Sequence, residues 1–143
     1  MCGIVGYSGK GDAYLSVYKG LCRLEYRGYD SAGIAYPEKG DFVIIKDKGR
    51  VSSVLDRDFK CGSSTVIGHT RWATHGTPSA ENAHPHRVGS VCIVHNGIIE
   101  NYASLREMLT EKGYTFLSQT DTEVACALIS MYYDLLHDPI KAL

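Results

Sequence analysis

Two hydrophobic periods share this chain. Ile4-Val5-Gly6-Tyr7, Thr65-Val66-Ile67-Gly68-His69 and Val91-Cys92-Ile93-Val94-His95 are short apolar runs, the pattern of strands buried on both faces. Ile34-Ala35-Tyr36 and Phe42-Val43-Ile44-Ile45-Lys46 flank Pro37-Glu38-Lys39-Gly40, which predicts a β-hairpin. Between the strands the period changes to three and four residues. Tyr14, Leu15, Tyr18, Leu21, Cys22 and Glu25 mark a helix that starts on Asp12 as N-cap and ends near Arg27-Gly28. Residues 51–57 form a short helix. Tyr102, Leu105, Met108 and Leu109 mark another, stopped by Gly113. Thr120 and Glu123 make a capping-box pattern opening a helix whose apolar face is Val124, Leu128, Ile129, Tyr132 and Leu135, with Pro139 as its stop. The glycine-rich segment 25–33 and the polar segment after His69 read as loops. Strands joined by tight turns, with helices segregated from them, give an α+β layered fold with largely antiparallel pairing.

Composition narrows the class. With 143 residues the chain makes one domain. Fifteen basic residues against sixteen acidic ones leave no basic footprint for nucleic acid. Apolar content of 44% with 22% charged residues is that of an ordinary globular protein. Five cysteines without a C-x-x-C pair suggest neither a disulfide framework nor a zinc ribbon, and fit a reducing cytoplasm. No run reaches the ~20 apolar residues of a membrane span, and no signal peptide precedes the first strand.

Chemistry gathers in four polar stretches: Cys2-Gly3; Gly68-His69-Thr70-Arg71-Trp72-Ala73-Thr74-His75-Gly76 with Asn82-Ala83-His84-Pro85-His86; His95-Asn96-Gly97-Ile98-Ile99-Glu100-Asn101; and Thr120-Asp121-Thr122-Glu123. If Met1 is removed, Cys2 carries a nucleophile and an α-amine on one carbon. A free α-amine, near pKa ~7.7, can take the proton of a thiol near ~8.5, so no second side chain is needed as base. Arg71 can grip a carboxylate bidentately and Asp121 can pair with an ammonium, which together suit an α-amino acid. Asn96 and the Gly97 N–H can donate to the oxyanion formed when a thiolate attacks an amide. Each residue also has a plainer reading. Cys2 suits burial, Arg71 a surface ion pair, Asp121 a helix-start charge, and Asn96-Gly97 is by itself a strong hairpin-turn signal. Histidines 69, 75, 84, 86 and 95 match no zinc-ligand spacing, so no metal is expected.

These stretches, together with Leu24-Glu25-Tyr26-Arg27-Gly28-Tyr29-Asp30-Ser31-Ala32-Gly33, occur in an order that resembles the glutaminase domain of class II glutamine amidotransferases. Tyr29, Trp72 and Thr74-His75-Gly76 resemble the sugar branch, the glutamine–fructose-6-phosphate aminotransferases. The resemblance implies an N-terminal-nucleophile hydrolase fold of four αββα layers, with L-glutamine as substrate and no cofactor. It implies that Cys2 attacks the side-chain amide, with Asn96 and Gly97 as oxyanion hole. Arg71 and Asp121 would hold the α-carboxylate and α-ammonium, and Trp72, Thr74 and His75 would line the site.

It further implies a sugar-isomerase portion of the same enzyme as partner, and a homodimer for the full-length protein. Residues 1–143 would then be a C-terminally truncated glutaminase domain whose second sheet is incomplete, poorly active or unstable alone. A non-catalytic glutamine-binding module and an inactive remnant stay open as alternatives.

Overall fold

The computed structural model describes residues 1–73 and 76–143. Four strands form the larger sheet in the order β1 (Gly3–Ser8), β4 (Thr65–Arg71), β2 (Ser31–Glu38), β3 (Asp41–Lys48), antiparallel throughout. Its register sorts the side chains. Val5, Gly68, Ile34 and Ile45 lie opposite one another and share one face, while Ile4, His69, Gly33 and Lys46 share the other.

The first face is covered by α1 (Ala13–Leu24), whose Tyr14, Val17 and Leu21 form a core with Ile34, Tyr36 and Val66. Asp12 caps the helix, its carboxylate accepting from Leu15 N at 2.9 Å. The buried stripe is Ala13, Tyr14, Val17 and Leu21: it keeps Tyr14 and Leu21 of the expected face, leaves Leu15 and Tyr18 half-buried, and exposes Cys22. Helix and sheet meet closely at two glycines: a β-carbon on Gly20 would stand 2.8 Å from the Val5 side chain, and one on Gly68 2.7 Å from that of Val17. A single 3-10 turn, Glu25–Arg27, then leads into Gly28.

The β2–β3 hairpin turns on Lys39 and Gly40, both with positive φ (51° and 82°), as a two-residue hairpin loop requires. Pro37 lies within β2 beyond Ala35, the last residue paired to β4, so its missing N–H leaves no ladder bond unmade on that side. β2 begins at Ser31, three residues before the predicted start, because its first residues are small for a packing reason. A β-carbon on Gly33 would stand 2.3 Å from the His84 carbonyl of the next layer.

That layer is a hairpin of β5 (His86–Val88) and β6 (Val91–Ile93), joined by Gly89-Ser90. β5 was expected to be loop, since one arginine and one histidine in three residues show no apolar run. Lys46 ties the two layers together, donating from Nζ to the carbonyls of Ala83 at 2.7 Å and Pro85 at 3.0 Å. Beyond the hairpin lie α3 (Tyr102–Glu111) and α4 (Asp121–Leu136), which pack through Leu105, Met108, Leu109, Val124 and Ala127. α2 (Val51–Val54) and α5 (Pro139–Ala142) are single turns.

α4 departs from expectation in two ways. Tyr132 and Leu135 are exposed, and its first three turns are buried nearly all round, between the β5–β6 hairpin and α3. Thr120 does cap Glu123 N, but the Glu123 carboxylate turns away from Thr120 N to accept from Leu117 N, Ser118 N and Ser118 Oγ. Pro139 starts α5 rather than merely ending α4, a proline at the first turn of a helix being well placed.

Candidate active site

At one end of the sheet, β1 begins, β4 ends and β2 begins. A cavity of about 340 Å³ opens there between the two layers, within the roughly 300–1,000 Å³ range of small-molecule sites. Cys2, Arg71, Trp72, Asn96, Gly97 and Asp121 line it, so six of the eight expected site residues converge. The other two, Thr74 and His75, lie outside the described residues.

The Cys2 thiol is held by the end of β4: Trp72 donates its backbone N–H to Sγ at 3.3 Å. The thiol in turn faces the Trp72 carbonyl at 3.6 Å, so both backbone groups of Trp72 position the sulfur. Met1 stands at the mouth of the same cavity, so its removal would leave the Cys2 α-amine beside its own thiol.

Asn96 reaches Cys2 from the second layer. Its Nδ2 donates to the Cys2 carbonyl at 3.1 Å, using one of its two N–H groups. Its Oδ1 accepts from His69 Nε2 at 2.9 Å. Gly97 has φ +151°, and a β-carbon there would stand 2.9 Å from the His95 ring. The Asn-Gly pair therefore builds a bend in the wall of the site, and not the hairpin turn that its composition suggests.

Asp121 is the first residue of α4 and is held in place from two sides. Its Oδ2 accepts from Ile99 N at 2.8 Å, and its Oδ1 accepts from the Thr122 hydroxyl at 3.4 Å. The His95 ring completes the set through Nδ1 to Thr122 Oγ1 at 3.3 Å. Arg71, the last residue of β4, is buried. Burial pulls its guanidinium below the ordinary value, and the nearby Cys2, Asp30 and Asp121 act against that pull. The cavity thus holds a cation, an anion, a positioned thiol and an amide donor.

Sequence reasoning missed several residues. Asp30 anchors the segment after β4, its Oδ2 accepting from Ala73 N at 2.8 Å. Tyr29 meets the Trp72 ring edge-on, with centroids 5.8 Å apart. His84, His95, Thr120 and Thr122 also line the cavity, and His69 stands behind Asn96. The signal for the histidines was their density, five within twenty-seven positions, read only against zinc spacing. His69, His84 and His86 act instead as neutral hydrogen-bonding rings: burial holds His69 down at about 4 and His86 at about 3, and pushes His84 down as well.

Comparison with known proteins defines the class. Residues 55–138 match the model of the glutamine amidotransferase domain, and the chain belongs to that family. Two solved structures, 29% and 30% identical, superpose on 91% of the chain with TM-scores of 0.75 and 0.77. The first is the glutamine phosphoribosylpyrophosphate amidotransferase of B. subtilis, and the second is described as the allosteric regulatory enzyme of purine biosynthesis. The fold is that of the N-terminal-nucleophile amidotransferases, an α+β arrangement with antiparallel sheets and flanking helices.

Among curated sequences, the glutamine–fructose-6-phosphate aminotransferase of Caldanaerobacter subterraneus is 52% identical over 94% of the chain. Those of Clostridium acetobutylicum and Aquifex aeolicus are 50% and 51% identical over 100% and 99% of it. The chain spans 23–25% of the length of these relatives.

Proposed function

We propose that this chain hydrolyses the side-chain amide of L-glutamine with Cys2 as nucleophile. The observation that carries the reading is the joining of Cys2, Asn96, Arg71 and Asp121 in one cavity, from elements up to 119 positions apart in sequence. Arg71 and Asp121 bind the α-carboxylate and α-ammonium of glutamine, and Trp72 lines the wall beside them. With Met1 removed, the α-amine takes the thiol proton and Sγ bonds to the amide carbon. The second N–H of Asn96 Nδ2 and the Gly97 N–H stabilise the resulting oxyanion. Collapse breaks the C–N bond, the amine returns the proton, and ammonia leaves. Water then cleaves the γ-glutamyl thioester, releasing glutamate and restoring the thiol.

Relatedness to the glutamine–fructose-6-phosphate aminotransferases supports a finer reading. Here the chain is the glutaminase domain of such an enzyme, working in the cytoplasm. Its ammonia serves the conversion of fructose 6-phosphate to glucosamine 6-phosphate on the sugar-isomerase portion of the same protein, which is a homodimer. No described helix is long and apolar enough to cross a membrane.

The direct test is a glutaminase assay. Glutamate and ammonia are expected to appear one to one, with loss of turnover in Cys2→Ala. Turnover retained in Cys2→Ala would refute the assignment.

A further inference from the structure

We propose that His69 is a positioning residue for the oxyanion hole, setting the Asn96 side-chain amide through a hydrogen bond that fixes which end faces the nucleophile. This rests on the glutaminase reading of the site and assigns a role to a group that lies behind it.

The argument starts from hydrogen-bond direction. A side-chain amide can be turned end for end with little change in shape, and only its neighbours decide which end is which. The Cys2 carbonyl can only accept, so the Asn96 group facing it at 3.1 Å is Nδ2. Oδ1 therefore faces His69 Nε2 at 2.9 Å, and that nitrogen must carry the proton. The carbonyl of His95 lies on the same Nε2 at 3.2 Å. One imidazole N–H thus meets both the backbone before Asn96 and the side chain of Asn96. With Oδ1 held at the back and one N–H on Cys2, the remaining N–H is left for the cavity that Asn96 lines.

The imidazole is packed in place. His69 is 1% exposed and lies in β4 directly opposite Gly33 and Ile4. Its ring stacks on His84, with centroids 4.1 Å apart and planes 14° apart. His84 in turn accepts from His95 N at 3.4 Å through Nδ1, so two stacked neutral rings grip the His95-Asn96 segment from its N–H, its carbonyl and its amide. Burial disfavours the charged form of both rings, which keeps His84 Nδ1 an acceptor.

The test compares two isosteric polar substitutions. His69→Gln places its amide nitrogen near the site of Nε2 and keeps the donor, whereas His69→Asn reaches only to the site of Nδ1. The expected result is a kcat at least tenfold higher in H69Q than in H69N, with KM for glutamine equal within about threefold. In an Asn96→Ala background the two are expected to have equal kcat, since His69 acts through Asn96. The Asn96 side-chain amide protons, followed by NMR, read the same comparison without turnover, and are expected to keep their wild-type shifts and exchange protection in H69Q and lose them in H69N. Equal kcat in the two variants, a difference carried by KM, or unchanged Asn96 amide signals in H69N would each overturn the proposal. A wild-type chain without glutaminase activity would instead count against the catalytic reading, and the NMR comparison would still decide the positioning claim.

Discussion

Gly28 and Arg71 touch where a side chain has no room: a β-carbon on Gly28 would stand 2.7 Å from the Arg71 carbonyl carbon and 2.7 Å from Trp72 N. Trp72 N is the group that donates to the Cys2 sulfur. The Gly28→Ala variant must therefore push the end of β4 away from the nucleophile. Glutaminase kcat is expected to fall at least tenfold, with a loss of about 1–3 kcal/mol in stability from the strained contact. Kinetics and denaturant unfolding measured on the same sample check both.

In the proposed glutaminase reaction, Arg71 and Asp121 are the groups that would set amino-acid specificity. Arg71→Lys keeps the charge and loses the planar fork, so KM for glutamine is expected to rise by tenfold or more while kcat changes less. Asp121→Asn is expected to act in the same direction, its carboxylate being already aligned by Ile99 N and Thr122. Steady-state kinetics that show a fall in kcat alone would contradict a substrate-gripping role.

Lys46 is expected to matter for stability although it stands outside the cavity. Its ammonium is pulled below the ordinary lysine value by burial and is surrounded by the carbonyls of Ala83, Pro85 and, at 3.4 Å, Glu81. Lys46→Met fills similar space and leaves those acceptors unpaired, at a cost of about 1–3 kcal/mol. Thermal unfolding measures it.

Acid should weaken the fold through the buried imidazoles. A free imidazole titrates near 6.5, while His69 is held at about 4 and His86 at about 3. Between those values the unfolded chain binds protons that the folded one does not, so stability falls as pH drops from about 6.5 toward 4, and for His86 toward 3. His69 alone contributes on the order of 3 kcal/mol to the total decline across that interval. Urea unfolding at pH 7, 5.5 and 4.5 should show the decline, and H69Q should show a shallower one.

Much of this was legible in the sequence because strands and helices follow from local periods. The apolar runs at β1 and β4 and the repeats at α3 mark their elements within a few residues. Cys2, Arg71, Asn96 and Asp121 stood out as candidates because thiol, guanidinium, amide and carboxylate together suit an amino-acid amide, and the structure brings the four to one cavity. Other features depend on neighbours far away in sequence. Small Ser31-Ala32-Gly33 resembles loop until His84 is placed against Gly33. Polar His86-Arg87-Val88 becomes strand only by pairing with β6. The Asn96-Gly97 turn signal is overridden because Asn96 is held between Cys2 and His69.

The central claim is that these residues build a glutamine site around an N-terminal Cys2, and the most direct measurement is intact mass before and after brief treatment with an electrophilic glutamine analogue. The expected result is a chain lacking Met1 that gains one adduct, mapped to Cys2, with Cys22, Cys61, Cys92 and Cys126 unmodified. Burial pushes the Cys92 thiol up to about 11 and the Cys126 thiol to about 12, which keeps both unreactive. Retained Met1, or label spread over the other cysteines, would contradict the account.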